Sequence, residues 1–249
     1  MRGIYKLFLI QLKLYLREPV ALFFSLAYPT LLLLLFGAIY GNEPAPEFWG
    51  RNFGTVDASV PAYAAIIIGT VALMGIPIDT AANRENGVLR RYRATPLRPI
   101  VYMAASVSTY LVVALIGMLI LVVTGKLIFD LKLAGSWLEV LAAFLLCALA
   151  LYSMGYLVAS LAPTARLAQA VGMVIFFPMM FLSGAGLPLQ LLPEGMRKVS
   201  DFLPLTYVVR LIQGLWFGDP WRTLWLPTLV VVGMLVIGTA ASTRLFRWE

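Results

Sequence analysis

Apolar stretches of about twenty residues or more, free of charge, alternate with short polar segments along the whole chain. Val20–Tyr40, Val60–Ile78, Pro99–Gly125, Val140–Ala165, Leu167–Pro193 and Thr223–Thr243 contain no Asp, Glu, Lys or Arg. As a helix rising 1.5 Å per residue, each is long enough to cross about 30 Å of hydrocarbon. The pattern predicts an all-α integral membrane protein. Its single domain, 1–249, would have spans at about 20–40, 60–79, 99–125, 137–162, 167–189 and 223–243. The fifth window is the least regular, because Pro178, Gly184, Gly186 and Pro188 punctuate it.

The segments between the spans carry their own patterns. Residues 1–19 read as an interfacial helix. Arg2, Lys6, Lys13 and Arg17 fall within an arc of about 60° at 100° per residue, and most of the remaining wheel is apolar. Such a helix lies in the headgroup layer, either as a plain anchor or as a contact for a partner. Pro19 then suits the first position of the following span. Ser136 and Glu139 have capping-box spacing before the fourth span. Residues 190–222 are too broken to span. There Leu205, Val208, Ile212 and Leu215 recur at helical spacing after Pro204, with Thr206, Arg210 and Gln213 off that stripe. This predicts a re-entrant or interfacial helix, whose irregular flanks must be buried against protein or face water.

Composition agrees with a membrane setting. The chain is 61% apolar and 12% charged, about half the charge of an average soluble chain. The formal charge of +7 would suggest nucleic acid in a soluble protein. Its placement suggests topology instead. With six spans both ends fall on one side, which holds twelve basic residues against seven on the other. That bias predicts cytoplasmic termini in a multi-pass membrane protein and gives no reason to expect a nucleic-acid partner; the membrane is expected to be the plasma membrane of a bacterium or archaeon.

The same inventory narrows the chemistry. There is no His, and Cys147 is alone, so no metal set or disulfide is expected within one chain. No window contains an acid or base to serve an ion relay. Asp79 is expected just past the end of the second span, within reach of water. No G-x-x-x-x-G-K-[ST] loop is present to hold nucleotide. The chain is therefore not expected to be an enzyme, nor to bind a cofactor, by itself. A polytopic lipid-modifying enzyme and a membrane scaffold are the competing classes.

The loop 80–98 is short for a domain and long for a turn. It can form a small helix across the membrane face, ended near Thr95 by Pro96. Arg90, Arg91 and Arg93 either follow the basic-inside rule or offer contacts to lipid phosphate or an acidic groove.

In this loop Glu85-x-Gly87-x-Leu89-Arg90, then Thr95-Pro96-Leu97, resembles the signature between the second and third spans of ABC type 2 transporter permeases. That family includes daunorubicin-resistance permeases and lipid or polysaccharide exporters. Phe181-Leu182-Ser183-Gly184, Leu192-Pro193-Glu194-Gly195, Leu203-Pro204-Leu205-Thr206-Tyr207 and Gly214-Leu215 extend the resemblance over about residues 5–245. Asn83 departs from it, since many relatives are acidic there. The resemblance implies an exporter permease that dimerises, as a homodimer, and binds two copies of a separate ATP-binding subunit, with ATP and Mg held by that subunit. It implies a coupling helix involving Arg84, Glu85, Asn86, Gly87, Leu89, Arg90, Arg91, Thr95 and Pro96, flanked by the interfacial helix with Lys6, Lys13 and Arg17. It further implies an outer re-entrant element containing Pro204, Leu205, Thr206 and Tyr207. The cargo would be a drug, antibiotic or lipid-like solute, or a lipid-linked glycan. Its path would run between two protomers, lined chiefly by the first, second and fifth spans.

Overall fold

A computed structural model describes residues 2–49, 51–93 and 99–245, and helices dominate with no strand among the described residues. The elements, in chain order, begin with α1 (Arg2–Tyr15) and α2 (Pro19–Tyr40). The short α3 (Pro46–Trp49) precedes α4 (Thr55–Glu85), α5 (Val88–Arg93) and α6 (Pro99–Phe129). Then come α7 (Trp137–Leu161), α8 (Ala165–Leu182), α9 (Glu194–Ser200), α10 (Pro204–Trp216) and α11 (Trp225–Leu245). Six of them, α2, α4, α6, α7, α8 and α11, are long and apolar enough to cross a membrane. Pro19 opens α2, as its fixed φ favours.

The centre of the bundle is α4, which packs against α2, α6, α7, α8 and α10. Its most apolar window is 89% buried, against 22% for α2 and 28% for α8. Val60, Ala64, Ile66, Ile67 and Ile68 are fully enclosed. A helix that is apolar all round belongs in an interior. The second span therefore has no free face to line a path between protomers, contrary to expectation. The first and fifth spans keep theirs, with Leu31, Leu35 and Ile39 on α2 and Val174 and Phe181 on α8 exposed.

Two spans contain one wide turn each, at Phe23–Ala27 and Val71–Gly75, where the backbone bonds from i to i−5. Pro29 and Pro77 follow each by two residues. A proline has no N–H for the carbonyl four residues back and its ring crowds that carbonyl. A local π turn relieves both. In α4 the carbonyls of the wide turn meet glycines of the neighbouring spans. A Cβ on Gly155 of α7 would collide with the Ala72 oxygen, and one on Gly172 of α8 with the Leu73 oxygen. Likewise Gly238 of α11 lies against Ser153 of α7, whose hydroxyl donates to Ala150 and Met234 carbonyls at 2.7 and 3.3 Å. Small residues here set the distance between helices.

Several predicted boundaries move. The second span runs from Thr55 to Glu85, so residues 80–85 are helix and only Asn86–Gly87 break it before α5. Asp57 and Asp79 thus lie within the spanning helix. The fifth span stops at Leu182, where Ser183 and the left-handed Gly184 turn the chain away. Ser136 precedes α7 but makes no side-chain cap, so the Ser136/Glu139 spacing is not a capping box.

The cap-like role belongs to Asp57. Its carboxylate, 1% exposed, accepts from the Gly54 N–H (3.1 Å), the Lys132 N–H (2.8 Å) and the Asn42 side-chain amide (3.0 Å). Asn42 also donates to the Phe129 carbonyl at 3.0 Å and accepts from the Asp57 N–H at 3.1 Å. One carboxylate at the positive end of α4 thereby ties together the ends of three spans.

Beside this knot, α10 is a buried helix of thirteen residues, too short to cross. Leu205, Val208, Ile212, Leu215 and Trp216 are enclosed. Thr206, expected off the apolar stripe, is also fully buried, because its hydroxyl donates to the Ser200 carbonyl at 2.7 Å.

Candidate functional site

The loop that carries the sequence signature is built on one left-handed residue. Gly87 has φ +67°, and the N–H groups of Asn86 and Gly87 close the end of α4 on Ala82 and Arg84 carbonyls at 2.9 and 3.0 Å. Only glycine enters that conformation at no steric cost. From this turn α5 runs back across the end of the bundle. Gly87→Ala, for which open space exists around a Cβ, should cost about 1 kcal/mol through backbone strain alone. Thermal unfolding of the purified chain is the check.

Arg84 and Glu85 hold the turn between α7 and α8 from both sides. The Arg84 guanidinium donates to the Ala162 and Ala159 carbonyls at 2.9 and 3.2 Å. These are terminal carbonyls of α7, where the helix dipole favours a cation. The Glu85 carboxylate accepts from the Ala165 N–H at 3.1 Å, at the first turn of α8, where it favours an anion. Thr164 completes that end by accepting from the Leu167 N–H at 3.2 Å. Thus one dipeptide pins the fourth and fifth spans to the end of the second.

Leu89 fastens α5 on its other side. It is fully buried with Leu7 of α1 and Tyr102 and Ala105 of α6. Asn83 donates to the Tyr102 hydroxyl at 3.2 Å. By contrast Asn86, Arg90 and Arg91 are exposed. On the flanking helix α1, Lys6 and Lys13 are exposed, as is Arg17 just beyond it. Thr95 and Pro96 lie outside the described residues. The signature therefore divides in two. Arg84, Glu85, Gly87 and Leu89 attach α5 to the bundle, and Asn86, Arg90 and Arg91 face outward.

The second predicted group sits at the other end. Pro204 begins α10, Leu205 and Thr206 point into the core, and Tyr207 remains near the surface. The Tyr207 hydroxyl donates to the Asp201 carbonyl at 2.7 Å, and Arg210 pairs with the Asp201 carboxylate at 2.6 Å. Gln213 donates to the Ala58 carbonyl at 2.9 Å, fixing α10 to the first turn of α4. Arg51 and Asp219 form a two-pronged pair at 2.8 and 2.9 Å over the same surface.

Sequence reasoning missed the polar role of Asp79. It lies inside α4 and its carboxylate accepts from the Tyr110 hydroxyl of α6 at 2.6 Å. The signal was present in the sequence: a lone acid directly after the charge-free window Val60–Ile78, with no turn residue between them.

Comparison with known proteins bears on this architecture. The family described as ABC-2 type transporter matches residues 3–217. Nodulation protein J of Rhizobium leguminosarum bv. viciae is 33% identical over 114 residues, 45% of this chain and 44% of that protein. The protein ycf38 of Porphyra purpurea, named as a transport permease, is 25% identical over 242 residues, covering 92% of this chain and 79% of its own. YbhR of Escherichia coli (strain K12), named as a multidrug ABC transporter permease, is 24% identical over 193 residues, 76% of this chain and 52% of that one. The chain thus aligns with about half or less of two of these three relatives.

Proposed function

Because the chain belongs to the ABC-2 type transporter family and is a membrane transport permease subunit, we propose that it is the membrane half of an ATP-driven exporter. It dimerises, as a homodimer, and docks two copies of a separate ATP-binding subunit, which hold ATP and Mg. The cargo is a hydrophobic or amphipathic solute, drug, antibiotic or lipid-like. The end of the bundle with exposed Lys6, Lys13, Arg17, Arg90 and Arg91 faces the cytoplasm.

The observation that carries this reading is the double attachment of α5. The helix offers Arg90 and Arg91 outward, while Leu89 joins it to α1 and α6 and Arg84–Glu85 join its root to α7 and α8. A partner that grips α5 and changes shape on binding ATP can thus pull on five elements at once. The energetic requirement is that the ATP-bound partner favour one arrangement of them over the other. The exposed flanks of α2 and α8 supply apolar surface for a second protomer and for cargo.

The test is co-purification with the cognate ATP-binding subunit and ATP-driven transport in vesicles. Arg90→Glu with Arg91→Glu should weaken association about tenfold or more through charge reversal at the docking face. The isolated chain should keep its thermal midpoint, because both side chains are exposed. Glu85→Ala should retain association and lose coupled transport. Unchanged association in the double charge reversal would sink the docking assignment.

A further inference from the structure

Asp79 opens onto a cavity of about 280 Å³ between α1, the end of α4 and the start of α6. Its charge is one-sided, and the uncharged Asn83, Asn86, Ser106 and Thr109 also line it. Asp79 and Glu18 supply two carboxylates, and Tyr15, Tyr102 and Tyr110 supply phenol rings. The side-chain oxygen of Gln11, on α1, is buried there without a hydrogen-bond partner. A buried acceptor left unpaired calls for a donor. Among the described residues no basic side chain lines the cavity, and the ion pairs Arg51–Asp219, Lys126–Asp130 and Arg210–Asp201 all sit at the opposite end of the spans.

We propose that this cavity binds a primary ammonium group presented at the membrane surface, with Asp79 as its counter-ion and the Gln11 side-chain oxygen as a hydrogen-bond acceptor. An ammonium carries three donors and no acceptor, which suits two carboxylates and the unpaired Gln11 oxygen. Aromatic faces add attraction for a desolvated cation. Burial pushes the Tyr15 phenol up to about 12, so that ring remains a neutral wall. A hard divalent ion is a poorer match, since it prefers six or more oxygens. The volume falls a little below the roughly 300–1,000 Å³ of drug-sized pockets. It suits a headgroup, with any apolar tail left in the bilayer beside the exposed Leu14 of α1. The ammonium could belong to a lipid headgroup or to a free alkylamine.

The site is independent of the transport reading and is measured without any ATP-binding subunit. The full chain is placed in nanodiscs of phosphatidylglycerol, which lacks an ammonium, and labelled dodecylamine is titrated with correction for protein-free discs. Saturable binding at one site per chain is expected, and dodecanol should not displace it. Asp79→Asn, which keeps the shape of the side chain, should lose affinity tenfold or more. Glu18→Gln, at an exposed position, should lose about threefold without any question of misfolding. If added phosphatidylethanolamine competes, the lipid headgroup is the occupant. If it does not, the site prefers free amines. No saturable binding, equal affinity in Asp79→Asn and Glu18→Gln, or displacement by dodecanol would overturn the assignment.

Discussion

Asp57→Ala is expected to remove about 3 kcal/mol of stability, a large loss for one side chain far from any docking face. The carboxylate accepts from two backbone N–H groups and one amide, at Gly54, Lys132 and Asn42. Alanine leaves the buried Gly54 N–H and the part-buried Lys132 N–H without this partner, which costs more than the bonds themselves contribute. Asp57→Asn should recover part of the loss, because its oxygen can still accept while its NH2 must face a donor. Reversible unfolding in mixed detergent micelles measures the difference. Hydrogen exchange adds a local readout, since the Lys132 amide should exchange faster in Asp57→Ala. Asp130→Asn provides the contrast, because Asp130 has φ +49° and asparagine tolerates that conformation as aspartate does. Its partner Lys126 is exposed and lies on the same turn, and no measurable change in stability is expected. A stable Asp57→Ala protein would mean that the ends of α2, α4 and α6 are held by packing alone.

Gly155→Ala is the second large effect, at about 2–3 kcal/mol of destabilisation. A single Cβ would meet the carbonyl oxygen of Ala72, a backbone atom in the wide turn of α4. That oxygen moves only if α4 or α7 moves, so a flexible neighbour is not there to absorb the added methyl. The helices must separate over their contact, loosening a bundle whose close approach depends on small residues. In an exposed helix the same change is usually mild or favourable. Gly195→Ala in α9, where a Cβ meets nothing within 4 Å, should fall within about 0.5 kcal/mol of the parent. Thermal midpoints of the two variants in one detergent decide the matter. Equal midpoints would show that α4 and α7 have room to spare.

Hydrophobic windows predict six apolar helices, and helical spacing predicts the helix at Arg2–Tyr15, because each is a local property of some twenty to thirty residues. They misplace the ends where a polar residue finds a distant partner. Arg84 and Glu85 look like loop residues until the α7–α8 turn supplies carbonyls and an N–H for them. Asp57 looks like a loop acid until residues 42 and 132 close around it. Such partners lie tens of residues away, and nothing in the local pattern announces them. The resemblance to ABC-2 permeases identifies the signature loop but not how its labour is divided. Leu89 reads as a contact residue in the motif, and burial against Leu7 and Tyr102 makes it an anchor. In the other direction, Ser136 and Glu139 have the right spacing for a box that the backbone does not form.

The wide turn at Val71–Gly75 also sets the phase of the second span. A π turn is an α turn with one residue added, and each added residue rotates the remainder of the helix by about 100°. A wheel drawn without a break from Thr55 to Glu85 therefore assigns the wrong azimuth to everything after Gly75. Asp79, Arg84 and Glu85 all owe their bearings to that extra residue. Removing one residue there would leave the composition of the span almost untouched. It would also swing its lower third round the axis, turning Asp79 away from Tyr110 and taking both grips off the α7–α8 turn.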